Sequence, residues 1–210
     1  MSRTPHEEGE GSLYRSIKAT VAGDEMIGGT TMDPTKAVVT FRVAVTSKAS
    51  PEAIYDVLSD PNTHLTWAGE QAPMKSFRLL SMDAPAEAVV GTEFSSSGAN
   101  SSNGKSTFFD KSVVVEADRA TRFGFDTESR LTRPHSKEWH ARFSHRYTIE
   151  PSADGATIRY VAEVRPQNYT PPWLIPGARS FTRVLVQYMH RKHMLNLVKM
   201  AEARTRTPSA

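Results

Sequence analysis

The chain has 210 residues, 38% hydrophobic content and a formal net charge of +3, which suits one folded domain with an extension and does not indicate a nucleic-acid partner. It contains no cysteine, so disulfides, thiolate zinc sites and cysteine nucleophiles are excluded. The opening residues MSRTPHEEGEGS carry neither a cationic leader nor an apolar run. We therefore expect a soluble cytoplasmic protein.

The first ordered element is predicted after residues 1–36. That segment has no sustained period, and its scattered glycines and charges predict a flexible arm. In the stretch VVTFRVAVTSK that follows, Phe41, Val43 and Val45 alternate with polar or small residues. This period of two predicts a half-buried strand.

Two short helices are predicted after this strand. The tripeptide SPE at 50–52 places a capping residue before proline at the first helical position and an acid in the first turn, which predicts a helix over 51–58. The dipeptide DP at 60–61 repeats the signal and predicts a second short helix that carries Trp67.

Six further strands are predicted from residue 76 onward. Turn compositions such as Ala153-Asp154-Gly155 separate them, and the short connections favour an antiparallel meander. The serine-rich stretch 95–106 indicates a long, solvated hairpin tip. The predicted strands span 76–82, 89–97, 107–117, 122–129, 138–150 and 157–165.

The last element is predicted to be one long helix over 176–204, because this stretch has no internal proline and is rich in helix-forming residues. Apolar side chains spaced by three, four and seven predict a stripe that needs a partner surface. We therefore predict a sheet curled around this helix in a domain spanning 37–204, with a disordered tail over 205–210. The predicted stripe consists of Phe181, Val184, Leu185, Tyr188, Leu195 and Val198.

Several blocks of this sequence resemble the START-like (SRPBCC) superfamily and, within it, the bacterial polyketide cyclase/dehydrase and lipid-transport group. They are FRVAVTSKASPEAIYDVLSDPNTHLTW, VVGTEF, VVVEADRATRFGF, WHARFSHRYTIEPSADGATIRYVAEV and the terminal helix, and together they cover about 38–204. The resemblance implies an α+β helix-grip fold, in which a curved seven-stranded antiparallel sheet wraps the C-terminal helix around an apolar cavity. It implies no single activity, because the family includes aromatase/cyclases, lipid carriers and hormone receptors.

An aromatic interior is the main candidate site. The period of two along strand 138–150 turns Phe143, His145 and Tyr147 inward and leaves the basic residues between them outside. Aromatic walls with a few polar groups suit a mostly apolar ligand, whereas an ordinary packed core is the alternative. The predicted ligand-binding residues are Trp67, Phe125, Trp139, Phe143, His145, Tyr147, Tyr160, Trp173 and Tyr188.

The histidines suggest limited chemistry. His145 is the only histidine expected inside, where it could move protons together with Tyr147 in an aldol-type cyclisation or serve as a hydrogen-bonded structural group. His190 and His193 have a spacing that can bind metal from one helix face, but two cations stand between them. We therefore predict neither a metal nor a cofactor.

The loop PQNYTPPWLIP over 166–176 has prolines that prevent regular structure and an apolar run around Trp173. Three roles stay open: a lid over the cavity, a segment that enters a bilayer surface beside the basic helix start, and a plug for the core.

The expected function is binding of a hydrophobic small molecule, which is polyketide-, lipid- or isoprenoid-like, between sheet and helix. If the protein is an enzyme, we expect polyketide cyclase/dehydrase-like chemistry, with the cavity imposing the substrate's folded shape. One alternative is a non-catalytic lipid carrier or sensor that contacts membranes. Another is a toxin-like or stress interaction module with a filled interior. The sequence leaves the ligand and the oligomeric state open.

Overall fold

The computed structural model describes residues 39–74, 77–101, 103–169 and 179–206, and only the backbone of 179–182 and 206. The predicted arm, most of the predicted tail and Trp173 lie outside these residues, as does the side chain of Phe181. The elements are β1 (Val39–Ser47), α1 (Pro51–Leu58), a 3-10 turn (Pro61–Thr63), a π-helical turn (Leu65–Glu70), β2 (Arg78–Asp83), β3 (Glu93–Ala99), β4 (Thr107–Asp118), β5 (Arg122–Thr132), β6 (Trp139–Ser152), β7 (Gly155–Pro166) and α2 (Arg179–Arg206).

The strands form one seven-stranded sheet in the order β1-β7-β6-β5-β4-β3-β2, and every neighbouring pair is antiparallel. Helix α2 packs against β1, α1 and the π-helical turn. This arrangement confirms the predicted helix-grip fold, in which a curved antiparallel sheet holds the C-terminal helix.

Helix α1 begins where the capping signal predicts. The side chain of Ser50 accepts a hydrogen bond from the backbone N–H of Ala53 at 3.3 Å, and proline occupies the first turn. The apolar face of the helix is fully buried at Ile54, Val57 and Leu58. Because capping and amphipathic spacing are local signals, this element could be predicted without knowledge of the rest of the fold.

The π-helical turn holds Trp67 inside the domain. Its last backbone bond runs from the N–H of Gln71 to the carbonyl of Thr66 at 2.9 Å. Asn196 on α2 donates to the carbonyl oxygens of Gln71 at 2.7 Å and Trp67 at 3.2 Å. The turn is therefore fastened to α2, and Trp67 is buried.

The predicted stripe of α2 is wrong at Val184 and Tyr188, whereas Val198 is buried and Leu195 packs partly buried against the core, as predicted. Val184 and Tyr188 are each 38% exposed, and the ammonium of Lys192 lies 5.6 Å from the centre of the Tyr188 ring. His190 and His193 are instead partly buried on the inner side. The prediction counted only large apolar residues and so rotated the buried face away from its histidines and its alanine. The side chains buried on α2 are Met194, Leu197, Val198 and Ala201.

The predicted serine-rich hairpin tip is wrong for its first five residues. Strand β3 continues to Ala99, so the connection to β4 spans only 100–106. The side chain of Ser96 is buried. A short hydroxyl side chain is compatible with the interior of a sheet, so serine content alone does not mark a solvated loop.

Candidate functional site

The inward side chains of the sheet form rows across neighbouring strands. Tyr147 is buried, whereas the Arg142 side chain on the same strand is 62% exposed, so the predicted inner face of β6 is confirmed. Four rows follow one another along the strands. The first two, which we call the aromatic rows, are Phe123–Tyr147–Tyr160 and Phe125–His145–Ala162. The last two, which we call the hydroxyl rows, are Phe94–Ser112–Thr127–Phe143 and Ser96–Asp110–Ser129–Ala141.

His145 lies at the centre of the aromatic rows. Its Nδ1 is 2.7 Å from the hydroxyl of Tyr160, and its ring stacks on Phe125 with centroids 4.5 Å apart. Tyr147 packs against Tyr160 at 4.7 Å but is not the hydrogen-bond partner of this nitrogen. The structure therefore pairs His145 with Tyr160 and not with the predicted Tyr147.

Three more histidines share this interior, so the prediction that His145 is the only one inside is wrong. His64 is buried, with its ring 4.3 Å from Trp67 and 6.1 Å from Phe125. On α2, His190 lies 5.3 Å from Tyr160, and His193 lies 6.5 Å from Trp67. His190 and His193 are spaced by three on α2 and lie in phase with Met194 and Leu197. This spacing could have indicated from the sequence that both histidines face the interior.

Burial controls the charge of these histidines. Desolvation is the largest cause in each case: it lowers the pKa of His145 from 6.5 to about 3 and those of His64, His190 and His193 to about 4. Repulsion from neighbouring histidines adds to this at His64, His145 and His190. Desolvation also raises the pKa of the Tyr147 and Tyr160 hydroxyls. These histidines and tyrosines are therefore uncharged near neutral pH.

Among the described residues, three buried polar side-chain atoms lack a hydrogen-bond partner: Nε2 of His64, Nε2 of His193 and Oδ1 of Asp110. Nδ1 of His64 lies 2.8 Å from the carbonyl oxygen of Pro61. Because a carbonyl only accepts, Nδ1 carries the proton of the neutral ring and Nε2 presents a lone pair. Two of these three atoms lie beside Trp67, and the third lies in the hydroxyl rows.

The structure brings together Trp67, Phe125 and the four predicted side chains on β6 and β7 but separates two other predicted residues. Trp139 stacks on Tyr169 at 4.5 Å and lies under the guanidinium of Arg133 at 3.8 Å, at the start of β6. Tyr188 is exposed on the opposite side of α2 from the buried face. The four predicted side chains are Phe143, His145, Tyr147 and Tyr160.

A groove of about 900 Å³, which we call the outer groove, is lined mainly by outward residues of β3 to β7 and also by the row Phe94–Ser112–Thr127–Phe143. The outward side chains at its walls are mostly charged and pair with one another, as Arg142 does with Glu128 at 2.8 Å. Such a lining suits a polar surface better than an apolar ligand. The described part of the chain contains no cluster of metal-ligating side chains, and none of its helices is long and apolar enough to cross a membrane.

Residues 38–202 match the family model described as "Polyketide cyclase / dehydrase and lipid transport". The chain belongs to this family. The match confirms the START-like (SRPBCC) resemblance. No curated protein matches this family member.

Solved structures share the fold at low sequence identity. A protein from Rhizobium leguminosarum has TM-score 0.56 and 12% identity, with 80% of this chain and 96% of that chain covered. The di-domain ARO/CYC StfQ of the steffimycin biosynthetic pathway has TM-score 0.55 and 13% identity, with 81% and 53% covered. Major latex-like protein 151 from Panax ginseng has TM-score 0.50 and 10% identity, with 80% and 97% covered. These likenesses concern the fold of this family member.

Proposed function

We propose that this member of the polyketide cyclase/dehydrase and lipid-transport family binds a hydrophobic small molecule between the aromatic rows and α2. The observation that carries the proposal is the surface that His145 and His190 keep accessible between the sheet and α2. Both residues are only partly buried, although the His145 ring stacks on Phe125 at 4.5 Å and the His190 ring lies 5.3 Å from Tyr160. Accessible surface among these rings fits a confined space inside the protein.

The lining indicates an uncharged ligand with few polar groups. Phe125, Tyr147 and Trp67 supply buried aromatic surface, and the neutral histidines offer no charge to pair with an ion. The free lone pair on Nε2 of His64 could accept a hydrogen bond from a ligand hydroxyl. A polyketide-, lipid- or isoprenoid-like molecule meets these requirements, and the family description is consistent with them.

Proton transfer is the second candidate, favoured by the hydrogen bond of 2.7 Å between His145 and Tyr160. A general base works best when its pKa lies near the working pH, and the pKa of His145 is about 3. The site is therefore better suited to binding than to removing a proton. An acid–base role for His145 and Tyr147 stays a prediction.

The test is binding of the uncharged fluorescent probe N-phenyl-1-naphthylamine. His145→Trp places a larger ring among Phe125, Phe143 and Tyr160, so we expect at least a tenfold loss of affinity, the equivalent of about 1.4 kcal/mol. Arg142→Gln on the outer face of the same strand is the matched control and should bind like the wild type. Loss of binding in the Arg142 variant alone would place the probe in the outer groove and contradict the proposal.

A further inference from the structure

The inner face of the sheet changes character beyond the aromatic rows. Ser112 and Thr127 are both buried, and their hydroxyl oxygens lie 2.8 Å apart. The next row places Asp110 between Ser96 on β3 and Ser129 on β5. A group of hydroxyls and one carboxyl therefore lies on the inner face of the sheet, where a packed core would carry apolar side chains.

Asp110 faces the inside because of the alternation along β4. It shares its side of the strand with Phe108, Ser112 and Val114, all of which are buried. Burial raises its pKa from 3.8 to about 6, and the hydroxyl of Ser129, its partner residue on β5, partly offsets that rise. The carboxyl is therefore mainly ionised near neutral pH, although it is desolvated.

One oxygen of this carboxyl has no partner. Oδ1 of Asp110 is buried and accepts no hydrogen bond. A desolvated acceptor without a donor is unfavourable, and more so when it is charged. Acids on the outer face of the sheet have cationic partners, such as Arg146 for Asp126 at 2.7 Å and Arg159 for Glu150 at 3.1 Å. The free oxygen of Asp110 is thus suited to a donor supplied by a bound molecule.

The spacing of the rows sets the length of that molecule. On β5, Phe125 pairs with His145, and Ser129, four residues further along, pairs with Asp110. At ~3.3 Å per residue, the two rows are about 13 Å apart. Phe94 and Phe143 flank the hydroxyls of Ser112 and Thr127 in the row between them. A ligand that reaches both ends must be elongated, with an apolar body.

We propose that Asp110, with Ser96 and Ser129, forms a second polar site inside the sheet, which accepts a hydrogen bond from a hydroxyl at the far end of an elongated ligand. The proposal rests on the proposed function, because it assumes that the ligand body lies against the aromatic rows. The ligand class is therefore hydroxyl-bearing, rod-shaped, mainly apolar molecules. The unpaired oxygen of Asp110 requires a donor such as a hydroxyl, and the spacing of the rows requires an elongated body.

Two rigid probes test this proposal: trans-stilbene, which has no polar group, and dihydroxystilbene, with one hydroxyl at each end. Affinity is measured by fluorescence titration in Asp110→Asn and in the control Asp118→Asn, an exposed position at the end of the same strand. Losing a hydrogen bond to a charged acceptor is expected to lower affinity roughly ten- to a hundredfold. We expect this loss for dihydroxystilbene in Asp110→Asn only, with trans-stilbene changed less than about twofold in either variant.

The outcomes separate the two proposals. If His145→Trp blocks both probes but Asp110→Asn weakens neither or weakens both equally, the second polar site is refuted and the interior binding site stands. If His145→Trp leaves trans-stilbene binding unchanged, the interior site itself is refuted, and this proposal with it. Carboxyl NMR of the wild type gives a readout that needs no variant: dihydroxystilbene should lower the pKa of Asp110, whereas trans-stilbene should not lower it. An equal response to both probes would also refute the second site.

Discussion

Acid should destabilise this protein through its interior histidines, and His190 allows the cleanest test. Its ring lies between Phe41 at 5.6 Å and Tyr160 at 5.3 Å, and burial lowers its pKa to about 4. In the unfolded chain the pKa returns to about 6.5. Unfolding therefore takes up a proton between these two values. His190 contributes its full stability above about pH 6.5 and loses it as the pH falls toward about 4.

The size of the effect follows from the shift. A fall from 6.5 to about 4 corresponds to about 3 kcal/mol at 1.36 kcal/mol per pKa unit. One histidine that is protonated only on unfolding gives a slope of at most about 1.4 kcal/mol per pH unit. His190→Phe should remove this contribution from the pH dependence while keeping a ring of similar shape between Phe41 and Tyr160. Any packing cost of the larger ring is independent of pH and cancels from the slope.

The assay is urea denaturation from about pH 5 to pH 8, with the unfolding free energy plotted against pH. The curve of His190→Phe should be flatter than that of the wild type by about 1 kcal/mol per pH unit in the acid range. His140→Gln is the control for loss of a surface histidine, because Nε2 of His140 lies at the surface, 3.0 Å from a carboxylate oxygen of Glu138. Parallel curves for the wild type and His190→Phe would refute the account of a desolvated, neutral His190.

Two further predictions concern the elements that frame the site. Asn196→Leu removes the donor to the carbonyls of Trp67 and Gln71 and should lower the unfolding free energy by roughly 1–3 kcal/mol. The near-UV circular dichroism signal of Trp67 should change as well. An unchanged signal would show that these bonds do not position the indole. Gly98→Ala should destabilise by roughly 1–3 kcal/mol, because a Cβ there would overlap the Arg78 carbonyl and the Phe108 ring, and wild-type stability in urea would contradict this contact.

The elements of the fold could be predicted from local rules. The capping signal before α1 and the alternation in β1 each depend on a few neighbouring residues, and both match the structure. The orientation of α2 could not be predicted in this way, because its inner face carries His190, His193 and Ala201 where an apolar stripe was sought. His190 and His193 lie inside because the fold places the rings of Phe41, Tyr160 and Trp67 beside them.

The residues of the candidate site were likewise predicted only where local alternation along a strand indicates them. Phe125, His145 and Tyr160 were predicted because a period of two places aromatic residues inside. Asp110 was missed, although it lies in phase with Val114, because an aspartate in a strand is normally assigned to the solvent side. The partner of His145 depends on the register between β6 and β7, which the sequence of either strand alone does not specify.

The central claim is that a ligand binds between the sheet and α2, and NMR contacts with bound N-phenyl-1-naphthylamine test it most directly. The account predicts nuclear Overhauser effects from the probe to ring protons of Phe125, His145 and Tyr160, which belong to the aromatic rows. Contacts confined to Lys111 and Arg142 would place the probe in the outer groove and contradict the claim.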